Sequence, residues 1–231
     1  MISQEGLLDE VGEYTRSVLG NKLKCDWKAC PCCGRFPEQG FKLHDCRNRT
    51  FRVILRQFVI KVLSALTRWK CPLCGQKATF YPSFAAPHKR YVTAAIMDRS
   101  FRYVEDDGAT YRSAVREKTT LPGYTTGVGY SPAPDGRTDD RQLAHATVHR
   151  WITWLGSLRE TLRMALNLIK AKAMDTAIFR QVFPVPPRKY RSQERRLCLE
   201  ACRRLFRVDR ECRRLSFPPV IPSFGTACRW T

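Results

Sequence analysis

Cys30-Pro31-Cys32-Cys33-Gly34 and Cys71-Pro72-Leu73-Cys74-Gly75 decide how this chain is read, because both follow the pattern Cys-Pro-x-Cys-Gly. A gap of two residues lets a tight turn aim both thiolates at one ion about 2.3 Å away, and the following glycine permits the positive φ such a turn needs. Two such knuckles complete a tetrahedron. The spacing predicts a structural Zn2+ site held by Cys30, Cys33, Cys71 and Cys74. Cys32 adjoins Cys33 and either could supply the second thiolate, although the two-residue gap favours Cys33. A thioredoxin-like redox pair is the competing account, but it calls for a single motif opening a helix in a βαβ unit. A closed four-thiolate shell leaves no position for water or substrate, so this metal is expected to fold its domain and not to catalyse.

Around the knuckles, residues 25–87 read as a small zinc ribbon, with strands at 50–62 and 66–70 running into the second knuckle. Upstream, residues 1–24 hold an amphipathic helix. Leu7, Leu8, Val11, Tyr14, Val18 and Leu19 recur at steps of three and four, a face suited to packing on the ribbon. Cys25, His44 and Cys46 lie near the first knuckle and could form part of a second metal site, although lone Cys and His residues more often pack or face solvent; Trp27 and Trp69 read as core beside the ribbon. Residues 88–182 read as helical, with helices at 88–104, 109–117 and 140–155 and an exposed Gly/Pro-rich loop at 118–135. Ser157 followed by Glu160 has the capping-box spacing for a further helix. Residues 183–231 begin with a proline-stiffened linker and continue into a basic helix at 192–215, whose expected apolar stripe is Leu197, Ala201, Leu205, Val208, Cys212 and Leu215. The predicted class is α+β: an N-terminal zinc ribbon of short antiparallel strands, an all-α helix-turn-helix-like bundle, and a basic C-terminal helix.

Charge narrows the partners. The chain carries 41 Lys and Arg against 21 Asp and Glu, a net charge of +20, with a pI near 9.9. That excess exceeds what solubility requires and points to a polyanion, of which nucleic acid is the default. Eleven cysteines would suit a secreted disulfide scaffold, but Glu5, Asp9, Glu10 and Glu13 interrupt the first twenty residues where a signal peptide would be apolar. A cytoplasmic setting with reduced or metal-bound thiols is expected. The most apolar stretch, 51–66, is broken by Arg52, Arg56 and Lys61 and is too short to cross a bilayer.

The helix at 140–155 suits a recognition helix: Val148, Trp151, Ile152 and Leu155 face inward, leaving His145, Thr147, His149 and Arg150 outward for base edges in a major groove. The helix at 109–117, with Arg112, is the candidate for the element that precedes it. Along the last helix, Arg195, Arg196, Arg203, Arg204 and Arg207 offer a sequence-independent phosphate clamp. Lys28, Arg35, Lys42, Arg47, Arg49 and Arg52 near the first knuckle, and Lys89 and Arg90 after the second, add to the basic surface. Glu105, Asp106, Asp107, Asp139 and Asp140 are better explained as turn and helix-start residues than as a two-metal site.

The two knuckles, the segments TFYPSFAAPHKRY (79–91) and YRSAV (111–115), and LAHATVHRWITWLG (143–156) together resemble a bacterial family of uncharacterised zinc-ribbon and helix-turn-helix proteins associated with transposases and mobile elements. The resemblance covers about residues 28–170. It implies sequence-directed binding to double-stranded DNA, a bacterial cytoplasmic and nucleoid-associated setting, and a role within a transposition or nucleoprotein complex. No RNase H-like catalytic domain is legible after Lys170, so the expected function is a non-catalytic DNA-binding protein acting in transposition or transcriptional control. Two alternatives stand beside it: a transposase or nuclease component whose catalysis comes from an unseen site or a partner, and an RNA-binding or assembly module.

Overall fold

The computed structural model describes residues 4–55, 58–115, 138–139, 143–173, 176–217 and 220. The protein is α+β, with an antiparallel sheet and several helices, and it divides into two compact units. The first takes Met1–Val53 and Lys61–Thr93; the second takes Ile54–Ile60 and Ala94–Val220. The Gly/Pro-rich loop expected at 118–135 lies outside the described residues.

The first unit starts with α1 (Gln4–Leu19). Its expected face is buried at Val11 and Val18, the Tyr14 ring meets Phe84 edge-on at 5.4 Å, and the Thr15 and Ser64 hydroxyls hydrogen-bond at 2.8 Å. Leu19 departs from the expected stripe. It is the last residue of the helix and is 81% exposed. Phe84 also takes the Phe51 ring edge-on at 5.2 Å, so one aromatic ring links the helix to the sheet.

That sheet is built on two long strands, β1 (Lys42–Leu55) and β2 (Phe58–Lys70), with β3 (Lys77–Thr79) antiparallel to β2 so that Arg68 faces Thr79 and Lys70 faces Lys77. The strand expected at 50–62 is therefore two strands. The chain passes from β1 to β2 across 56–57, where Arg56-Gln57 carries none of the Gly, Asn or Asp residues that usually announce a hairpin turn. The helix expected from His88 starts instead at Thr93, because Arg52 N–H donates to Arg90 O and Val92 N–H donates to Arg52 O. Those two bonds hold residues 90–92 extended alongside β1 and leave them no helical partners.

In the second unit, α2 (Thr93–Glu105) and the short α3 (Tyr111–Val115) precede β4 (Thr138–Asp139), which pairs antiparallel with Val59 and Ile60 of β2. Then come α4 (His145–Gly156), α5 (Arg159–Lys172) and the 22-residue α6 (Gln193–Arg214). Val148, Trp151, Ile152 and Leu155 of α4 are all buried, as their spacing predicts. Ser157 does not cap α5. It closes α4 in a right-handed helical conformation, not the extended one an N-cap takes, its hydroxyl donates back to Trp154 O, and the N-cap position of α5 falls to Leu158.

The apolar face of α6 is also turned relative to expectation. Leu205, Val208 and Cys212 are buried, but their companions are Leu199, Cys202, Phe206 and Asp209, while Leu197 is 48% exposed. Leu197 lies at the margin of this arc, and the buried Asp209 inside it is satisfied by Val220 N–H at 2.8 Å and by Arg213. The segment expected as a free proline linker is a packed strap: Val185 is buried, and the Lys189 ammonium donates to the carbonyls of Tyr103 and Asp106.

A candidate metal centre and the basic residues around it

The two Cys-Pro-x-Cys-Gly stretches fold into the same turn. In the first, Cys30 N–H donates to Arg35 O at 2.8 Å and Gly34 N–H to Cys30 O at 2.9 Å; in the second, Cys71 N–H donates to Gln76 O at 2.9 Å and Gly75 N–H to Cys71 O at 2.8 Å. Both glycines sit at φ +71°, in the left-handed region where a side chain is strained. The first knuckle precedes β1 and the second lies between β2 and β3, so the sheet returns the chain to its starting point and sets one turn against the other.

Four sulfurs meet there. The Sγ atoms of Cys30, Cys33, Cys71 and Cys74 all lie within 4.8 Å of one another, with Cys30 and Cys74 at 3.8 Å and Cys33 and Cys71 at 4.0 Å. A tetrahedral ion bound by thiolates at about 2.3 Å requires sulfurs about 3.8 Å apart, so the quartet has the dimensions of a closed four-sulfur shell, a geometry taken by zinc or iron. Cys32 is outside this group; its backbone N–H donates to the Cys30 sulfur at 3.3 Å, the kind of outer contact that steadies a thiolate ligand. Cys30 and Cys71 are buried, and no other group of three or more His, Cys, Asp or Glu among the described residues could hold a metal.

The protons of the quartet reflect its crowding. A backbone N–H from Arg35 lowers the Cys33 thiol to about 7. At Cys74 a comparable pull from the Gln76 N–H is outweighed by desolvation and three neighbouring thiols, which raise it to about 11. Aromatic rings support the turns: Trp27 packs edge-on to Phe41 at 5.3 Å and meets Phe80 at 6.1 Å, while the buried Trp69 donates its indole N–H to Thr67 Oγ1.

The basic residues singled out from sequence fall into two sets. His145, His149 and Arg150 are exposed on α4 with Thr147 half-buried, and Arg112 is exposed on α3. His149 sits 5.5 Å from the Tyr111 ring, and partial burial followed by the charges of Arg195 and Arg150 lowers its pKa. The arginines of α6 are mostly engaged. Arg195 donates to Thr153 Oγ1 and to the Tyr111 hydroxyl; Arg203 donates to the carbonyls of Val104 and Pro184 and pairs with Asp107; Arg207 pairs with Glu105 at 2.6 Å. Arg196 lies 3.7 Å from Glu200, and the Nε of Arg204 is buried without a hydrogen-bond partner. Sequence reasoning missed this internal role because the acceptors are carbonyls and carboxylates up to 102 residues away along the chain.

A further basic group lies in the first unit, on the sheet. Arg47, Arg49 and Arg52 of β1 share a cleft with Lys61 and Arg68 of β2 and with Arg90. Arg68 grips Asp45 through two nitrogens and holds that carboxyl below its usual range. Lys61 and Arg68 were not readable as members of this group, since nothing local ties them to the arginines of β1. No known protein family, curated protein or solved structure matches this chain.

Proposed function

We infer that this protein is a non-catalytic DNA-binding protein whose first unit is a zinc ribbon, with the cysteine quartet as its structural Zn2+ site. The observation that carries the reading is the closed sulfur shell within a chain of net charge +20. Four thiolates saturate a tetrahedral ion, which leaves the metal a scaffolding role, and the charge asks for a polyanion. Zinc is preferred to iron because two Cys-x-x-Cys turns closing four thiolates around one ion are the usual shell of structural zinc.

Of the acids that an enzyme reading would draw on, Glu105 is paired to Arg207 and Asp107 to Arg203. Duplex DNA as the partner, and a setting in transposition or transcriptional control, follow from the family resemblance and from the outward residues of α4. The test is selection of bound duplexes from a random pool at near-physiological salt, with zinc and iron measured on the same preparation. Enrichment of duplex DNA with about one zinc per chain is expected; absence of zinc, or equal retention of RNA and DNA, would sink the reading.

A further inference from the structure

Six cations line one cleft of about 940 Å³ in the first unit: Arg47, Arg49, Arg52, Lys61, Arg68 and Arg90. None of the described residues lining it is acidic, and Asp45 beside it is already held by Arg68, with Arg47 at 3.9 Å. Like charges gathered in a concave surface focus a positive potential, which draws a polyanion toward it.

Several of the cations are fixed by the fold. Arg49 donates from Nη2 to Lys89 O at 3.0 Å and lies over the Phe51 ring, and Arg52 lies over Tyr91 while its backbone is bonded to Arg90 and Val92. Held arginines lose less side-chain freedom on meeting a phosphate, which favours binding. Arg47, Lys61 and Arg90 are exposed and complete the rim.

We propose that this cleft is the seat of one sugar–phosphate strand of duplex DNA. The proposal deepens the DNA-binding reading and rests on it. Phosphates are favoured over bases because the lining is cationic and hydroxylic, with Thr50 and Thr79 beside the arginines, and Tyr81 and His88 supply the rings among the described residues that line it. Single-strand readers instead stack successive bases on several aromatic faces. The geometry also moves the main electrostatic contact from α6, whose arginines are largely paired within their own unit, to the sheet beside the metal site.

The experiment is a salt titration of the zinc-loaded full chain on a mixed-sequence labelled duplex, with Arg47→Gln/Lys61→Gln/Arg90→Gln as the test variant. Each phosphate neutralised contributes about 0.9 to the slope of log affinity against log salt. The triple variant is expected to flatten the slope by roughly 2 to 3 and to weaken binding at low salt by about tenfold or more. Arg163→Gln on α5, an exposed arginine paired with Glu160, is expected to leave that slope unchanged. Arg47→Lys/Arg90→Lys, which keeps the charge, is expected to keep it too and shows that the site tolerates substitution; zinc content and melting temperature are followed for every variant. A wild-type chain that fails to hold duplex DNA removes the DNA reading altogether. Wild-type binding to DNA with an unchanged slope in a folded, zinc-loaded triple variant overturns the cleft proposal alone, as would an equal loss of slope in the α5 variant; RNA held more tightly than DNA removes the DNA reading.

Discussion

Gly156, the last residue of α4, faces Cys198 of α6 so closely that a Cβ on the glycine would lie 2.6 Å from both the carbonyl oxygen and the sulfur of Cys198. Cβ atoms do not approach backbone at that distance, so the two helices can cross here only over a residue with no side chain. Gly156→Ala is expected to destabilise the second unit by about 1–3 kcal/mol through overpacking. Trimming the sulfur with Cys198→Ala in the same chain should restore only part of that loss, because the carbonyl remains. Denaturant midpoints of the single and double variants check this, and an unchanged midpoint for Gly156→Ala would show that the helices are further apart.

The adjacent cysteines of the first knuckle should separate cleanly by metal content. Cys33→Ser removes a sulfur from the quartet and is expected to abolish stoichiometric zinc and expose the first unit to protease. Cys32→Ser leaves the four sulfurs in place and its backbone N–H still donates to Cys30, so zinc and protection should persist. The reverse pattern would assign the ligand to Cys32.

Arg203 gives a test of which arginines serve the fold. It donates to the Val104 and Pro184 carbonyls and pairs with Asp107, with its side chain only 13% exposed. Arg203→Met strands those acceptors and is expected to cost about 1–3 kcal/mol. DNA affinity at a temperature where the variant is folded should be unaffected. A large loss of affinity without loss of stability would return α6 to the role of phosphate clamp.

Lys189 supplies a pH dependence with a definite sign. Burial lowers its ammonium to about 8 from the usual 10.5, with nearby Asp107 partly opposing. Between these values the unfolded chain holds a proton there that the folded chain has released, so stability rises with pH across that window. Below about 8 both states are protonated and this contribution is flat. The gap in unfolding free energy between wild type and Lys189→Met should therefore shift in favour of wild type from about pH 8 to about pH 10.5; a gap that stays constant would place the ammonium in solvent.

What was legible in the sequence is what short-range geometry fixes. The cysteine quartet follows from two turns whose residues are neighbours in the chain, and the buried face of α4 follows from helical periodicity alone. The end of β1 at Leu55 and the start of β2 at Phe58 were not legible, because Arg56 and Gln57 look like the other polar residues spaced along 51–66 and neither is a turn residue. The phase of α6 was missed because Asp209 reads as a surface acid until its partners, Val220 N–H and Arg213, are known. Ser157 and Glu160 match the capping spacing, yet α4 runs on until Ser157 itself is helical and Leu158 takes the N-cap position of α5. The basic cleft escaped for a related reason: strand pairing, not local order, brings Lys61 and Arg68 beside Arg47 and Arg49.

Cys33 and Cys71 are 38 residues apart, and most of the cleft is encoded between them. Drawing the ends of a loop that long together costs on the order of 4 kcal/mol of chain entropy, if the ion is treated as a cross-link. Withdrawal of the ion would return that freedom, and Arg47, Arg49, Arg52, Lys61 and Arg68 would scatter along an open coil with their charge intact but their density gone. On the proposed reading, metal supply would then act as a dimmer on the hold on polyanions, changing how concentrated the charge is without altering how much of it there is.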